Sequence, residues 1–169
     1  MAEQLNLAMA DLIQAKVIVV RQNPYSIEVE IQTDLLFTSG EAKLSVKAQQ
    51  ILQRLADVLK GFPNPIRVEG HTDNVPISSS MFPSNWELSA ARAATVVHLL
   101  MKSGVAPKRM SVIGMSEYRP LAENTDEAGR NRNRRVQLII PTPASGLKPA
   151  ASSPAVQPAE DTKHENKSS

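Results

Sequence analysis

Two long segments of this chain repeat apolar residues at three- and four-residue spacing, and the segments between them alternate apolar with polar. Leu44, Ala48, Ile51, Leu52, Leu55 and Leu59 form the clearest helical stripe, with Ser45 placed to cap its start and Gly61 and Pro63 to stop it. A second stripe, Leu88, Ala91, Val96, Leu99 and Leu100, follows Ser84 and Glu87 at capping-box spacing. It predicts a helix to about Ser103, with Gly104 as the stop. Leu5, Ala8, Met9, Leu12 and Ile13 predict a shorter amphipathic helix over 1–15.

Strand-like stretches surround these helices. Residues 16–21 are β-branched, Asn23-Pro24 is turn chemistry, and Ile27, Val29 and Ile31 alternate with Glu28 and Glu30, which predicts a hairpin with one solvated face. Ile66, Val68 and Gly70 alternate with Arg67, Glu69 and His71, so a strand should end where the polar run His71-Thr72-Asp73-Asn74 begins. Residues 110–114 and 136–140 read as further strands, and Asn124 and Glu127 are placed to cap a brief helical turn ending at Gly129. Strands alternating with helices imply crossover connections, hence an α/β two-layer sandwich: a mixed β-sheet with two long helices on one face. From Thr142 onward Pro, Ala, Ser, Lys and Glu dominate and the apolar period is lost. Residues 142–169 are therefore expected to be a disordered tail, leaving 16–141 as the folded domain.

Composition narrows the chemistry. With 169 residues, 41% hydrophobic and 21% charged, the chain has ordinary soluble composition and enough length for one core. Cysteine is absent, which excludes disulfides, thiolate metal sites and a cysteine nucleophile. No apolar run approaches the roughly 18 residues of a spanning helix, and residues 1–15 lack the pattern of a signal peptide, so this segment is not expected to anchor or export itself. The net charge is only +2. Arg130, Arg132, Arg134 and Arg135 are the strongest basic cluster, but no aromatic residues interleave with them, and a nucleic-acid partner is not expected.

The polar residues worth attention converge from two places. On the helix after Ser84, positions four and seven apart share a face, so Asn85, Ser89 and Arg92 project within about 60° of one another, beside a strand end carrying His71, Thr72 and Asp73. Asp73 suits an ammonium and Arg92 a carboxylate, a pair that fits a zwitterion. On spacing alone, a salt bridge pinning loop to helix is the favoured reading. The other histidines, His98 and His164, offer His71 no second metal ligand at a useful spacing, and no serine sits in a Gly-x-Ser-x-Gly turn, which weakens zinc and hydrolase readings. Trp86 fits either a ring packed on the neighbouring loop or a sugar-stacking residue.

The sequence Gly70-His71-Thr72-Asp73, then Asn85 before Leu88-Ser89-Ala90-Ala91-Arg92-Ala93, then Gly104-Val105 and Arg109, then Gly129-Arg130-Asn131-Arg132-Asn133-Arg134-Arg135-Val136, resembles the OmpA-like peptidoglycan-binding superfamily over about 27–140. Asn74-Val75-Pro76-Ile77, the loop carrying Phe82, and Ser84-Asn85-Trp86-Glu87 resemble its flagellar stator branch, the MotB and MotD type, more than the outer-membrane anchors OmpA and Pal. The resemblance implies a noncatalytic domain without cofactor or metal. Asp73 and Arg92 would hold the zwitterionic end of meso-diaminopimelate in the peptidoglycan stem peptide, with Thr72, Asn85 and Leu88 as walls and one arginine of Asn133-Arg134-Arg135, Arg135 by preference, as a further carboxylate contact. It also implies a periplasmic homodimer, tethered in the full-length protein to the inner membrane by an N-terminal helix and partnered there by a MotA-type membrane subunit. One departure is Phe37-Thr38-Ser39-Gly40, where many members carry an acidic residue and an asparagine.

Overall fold

The computed structural model describes residues 1–38 and 41–142, so the expected tail lies, apart from Thr142, outside the described residues. In chain order the elements are α1 (Ala2–Ala8), α2 (Ala10–Gln14), β1 (Ile18–Gln22), β2 (Ser26–Gln32), α3 (Thr33–Leu36), α4 (Val46–Leu59), β3 (Ile66–His71), α5 (Asn85–Lys102), β4 (Met110–Gly114), α6 (Glu127–Asn133) and β5 (Arg135–Pro141). The strands make one sheet in the order β1-β2-β5-β3-β4. β3 and β4 are parallel, joined through α5, while the other neighbours are antiparallel. This is the mixed sheet with two long helices that the apolar pattern predicts.

Local chemistry explains the long helices. Ser45 caps α4 by accepting the Ala48 N–H at 3.0 Å, and the α4 stripe buries Ile51, Leu52, Leu55 and Leu59. Each such side chain contributes about 1.5–3 kcal/mol when fully buried. α5 starts at Ser84, whose hydroxyl accepts the Trp86 N–H at 3.2 Å and donates to the Glu87 carboxylate. The inner faces of α4 and α5 close one core with Val29, Ile31, Val68, Val136 and Leu138.

Three local expectations are corrected. The N-terminal helix is two short ones broken at Met9: α1 leans on α4, and α2 turns toward β1. Leu5 and Met9 are wholly buried, and Arg54 of α4 clamps Asp11 with two bonds of 2.7 and 3.0 Å. The polar face of β2 is not simply solvated, because Arg21 of β1 pairs with Glu30 and leaves it only 9% exposed. Finally, α6 does not end at Gly129 but runs to Asn133, and its cap is Asp126, not Asn124. Gly129 lies inside the helix because a Cβ there would meet the Glu123 carbonyl oxygen at 1.9 Å.

A second close approach sets the geometry of the site. A Cβ on Gly70 of β3 would lie 2.0 Å from the Ser89 carbonyl oxygen, and one on Gly114 of β4 would lie 2.9 Å from Ala90 Cβ. The first half of α5 therefore rests on bare strand backbone, which brings Asn85 and Arg92 next to the end of β3.

Candidate functional site

The end of β3, the first turns of α5, α3 and α6 enclose a pocket of about 510 Å³. It is lined by Asp34, Phe37, Thr72, Asp73, Val75, Ile77, Asn85, Leu88, Arg92, Glu127, Arg130 and Arg134. Thr72 is fixed by its N–H, which donates to the Ser116 carbonyl at 2.9 Å. Asp73 Oδ1 accepts the Val75 N–H at 3.0 Å, and its Oδ2 accepts from Arg134 Nη1 at 2.7 Å. Asn85 donates from its side-chain amide to the Val75 carbonyl and to Glu117, both at 3.0 Å, so it ties the loop after β3 to the segment after β4.

Arg92 is 6% exposed. Its Nε donates to the Glu41 carbonyl at 2.9 Å, and its guanidinium lies over the Phe37 ring, 5.4 Å from the centroid. Burial lowers its pKa to about 10, with Asp34 and Asp73 opposing that shift and Arg134 adding to it, so it stays a cation at neutral pH. Among the described residues it forms no ion pair. The salt bridge that spacing alone favours is absent, because Arg134 takes Asp73 instead.

Arg134 is the hub of the opposite charge. It pairs with Asp73 at 2.7 Å, with Glu127 at 2.6 Å and with Asp34 at 3.0 Å. Burial works against its charge, but those three partners outweigh burial and raise its pKa above the ordinary arginine value. The pocket thus offers one planar cation held by a backbone carbonyl and an aromatic ring, beside carboxylates arranged around a second cation. Phe37, Val75, Ile77 and Leu88 supply apolar wall. Such a lining has the chemistry to accept a small molecule with both an anionic and a cationic end.

Of the residues singled out in the sequence, Asp73, Arg92, Thr72, Asn85 and Leu88 meet in this pocket. Ser89, His71 and Arg135 do not line it. Ser89 is wholly buried, its hydroxyl donating to the Trp86 carbonyl and accepting the Ser116 N–H. Arg135 is placed elsewhere by strand alternation: Val136 faces the core beneath the helices, so Arg135 faces the other side of the sheet. There it donates to the Asn133 and Arg119 carbonyls at 3.3 and 3.1 Å. His71 shares that far face. Burial first, then Arg135 and Arg119, lower its pKa to about 3, and it is neutral at pH 7.

Sequence reasoning missed Asp34, Phe37 and Glu127 as site residues, and within the arginine cluster it favoured Arg135 where the pocket is lined by Arg130 and Arg134. Glu127, Arg130 and Arg134 stand three and four residues apart, the spacing of one helix face, and that signal was hidden by taking Gly129 as a helix end. Asp34 sits in the four-residue α3, too short to show a period. A larger groove of about 640 Å³ also borders α5, lined by Leu44, Thr95, His98 and Leu99 among others, and none of the motif residues reaches it. Among the described residues no cluster of His, Asp or Glu could hold a metal ion, and no helix is long and apolar enough to cross a membrane.

A mixed five-stranded sheet under two long helices, with a pocket of both charges at the sheet end, defines a small α/β domain with a candidate ligand pocket. The chain belongs to the OmpA family, which matches residues 36–134. It is 37% identical over 121 residues to the YtxE protein of Bacillus subtilis, covering 71% of this chain and 50% of that protein. It is 36% identical over 114 residues to motility protein B of the same organism, covering 66% of this chain and 44% of that one. The chain thus spans about half the length of these curated relatives. Among solved structures, the cell wall anchor of the T6SS from Pseudomonas aeruginosa matches with a TM-score of 0.77 at 38% identity, covering 80% of this chain and 95% of that one.

Proposed function

We propose that this domain binds peptidoglycan noncovalently and without turnover, and that its pocket takes the zwitterionic end of meso-diaminopimelate in the stem peptide. The observation that carries this reading is the pairing, in one pocket, of Arg92, which forms no ion pair among the described residues, with the carboxylates of Asp34 and Asp73. A carboxylate of the ligand would meet the Arg92 guanidinium, and its ammonium would join the carboxylates now grouped on Arg134. Thr72, Asn85 and Leu88 would form the walls. Arg134 replaces Arg135 as the second arginine of the site, since Arg135 lies on the far face of the sheet.

The relatives' names, a motility protein and a cell wall anchor, support the anchoring role. The stretch from Asn74 to Ser84 favours the flagellar stator as the machine anchored. In that reading the domain is periplasmic, works as a homodimer, and is joined in a longer protein to an inner-membrane helix partnered by a MotA-type subunit. The rival within the family, an outer-membrane anchor, predicts that the full-length protein fractionates with the outer membrane.

Cosedimentation with purified sacculi tests the site. Asp73→Ala or Arg92→Ala should abolish pelleting while the circular dichroism spectrum is kept, and labelled sacculi should release no soluble label during incubation. Undiminished pelleting of both variants would overturn the assignment.

A further inference from the structure

Beside the pocket, Trp86 and Tyr118 stack on each other in the open. Their ring centroids are 5.4 Å apart with planes inclined by 27°, and they are 49% and 64% exposed. Trp86 stands in the first turn of α5 next to Asn85, and Tyr118 follows Glu117 in the segment after β4. The hydrogen bond from Asn85 to Glu117 fastens these two supports together, and Asn85 is itself a wall of the pocket. The aromatic pair therefore stands on residues tied directly to a pocket wall. Neither ring belongs to the core, so the fold gains little apolar burial from them.

We propose that Trp86 and Tyr118 form a carbohydrate subsite for the glycan strand from which the stem peptide hangs, an inference that extends the peptidoglycan reading to a second part of the same polymer. A pyranose ring has an apolar C–H face that suits the exposed side of an aromatic pair, and polar edges that suit the groups around it. Glu87 and Glu117 adjoin Trp86 and Tyr118 in the chain, and carboxylates are acceptors for sugar hydroxyl and acetamido N–H groups.

Trp86 is the chain's single tryptophan, so its fluorescence reports on this platform directly. Chitotetraose, a β-1,4-linked N-acetylglucosamine oligomer without peptide, is the probe. The wild type should show a saturable change in emission. Tyr118→Ala should weaken that binding at least about fivefold while binding of a free, glycan-less stem peptide, read by calorimetry, is unchanged. If wild-type protein binds the free stem peptide but chitotetraose leaves Trp86 emission unaltered, the carbohydrate subsite is wrong and the pocket reading stands. If chitotetraose binds and the stem peptide does not, the subsite stands and the pocket reading falls. Equal chitotetraose affinity in Tyr118→Ala would also overturn the paired platform.

Discussion

The two faces of the sheet carry similar charges toward different ends. On the helix side, Arg92, Arg134, Asp34 and Asp73 border an open pocket. On the far side, Arg135, Glu30, Glu69 and His71 form a polar layer that is between 3% and 9% exposed and lines neither of the two pockets beside α5. Arg135 is spent on carbonyls of its own chain, and Asn133 beside it holds the segment after β4 through the Leu121 and Ala122 N–H groups at 2.7 and 3.0 Å. Opposite charges close together therefore do not mark a binding site by themselves. What distinguishes the pocket is access: Arg92, Asp34 and Asp73 all line one opening, whereas Arg135 does not line it.

The sharpest way to disturb both faces at once is Gly70→Ala, which forces a methyl group into the Ser89 carbonyl where α5 rests on β3. It should cost about 3 kcal/mol or more, read as a fall in the urea midpoint, because backbone and not a flexible side chain has to move.

Next comes a crossed pair. Arg92→Ala should lower stem-peptide affinity by about 100-fold with the melting temperature nearly unchanged, the size expected for removing a charge-assisted fork. Arg135→Ala should do the reverse, losing about 2 kcal/mol of stability as Glu30 and Glu69 lose their nearby cation, with the affinity of the folded fraction intact. Similar behaviour of the two variants would dissolve the distinction between the faces.

The smallest effect is expected from pH. Burial lowers the His71 pKa from 6.5 to about 3. Between those values the unfolded chain holds a proton that the folded one does not. Stability is therefore complete above about pH 6.5 and falls as the pH drops through that window, by at most about 1.4 kcal/mol per pH unit. Urea midpoints at pH 7 and pH 5 should differ less in His71→Asn than in the wild type, and an unchanged difference would remove His71 from the acid response.

Much of this was legible in the chain. The α4 and α5 stripes, the Ser45 and Ser84 caps and the strand ending at His71 follow from periodicity and capping chemistry alone. The convergence of Asp73 with Arg92 needed the family resemblance, because spacing favours a salt bridge that does not form. Alternation along β5 could have placed Arg135 correctly, given that its neighbour Val136 belongs to the core. Gly129 misled for a physical reason: glycine commonly ends helices, but here it is required by a carbonyl pressed against the helix side. Asp34 carried no local signal, since its place in the pocket depends on tertiary packing of a single helical turn.

The central claim is that Arg92 and the carboxylates grouped on Arg134 read a zwitterion. Calorimetric titration of the wild-type domain with two free stem peptides, one carrying meso-diaminopimelate and one carrying lysine in its place, tests it most directly. Lysine keeps the ammonium and lacks the second carboxylate. The account predicts binding of the diaminopimelate peptide and a loss of about 100-fold for the lysine peptide, with Arg92→Ala abolishing the difference. Equal affinities for the two peptides in the wild type would contradict it.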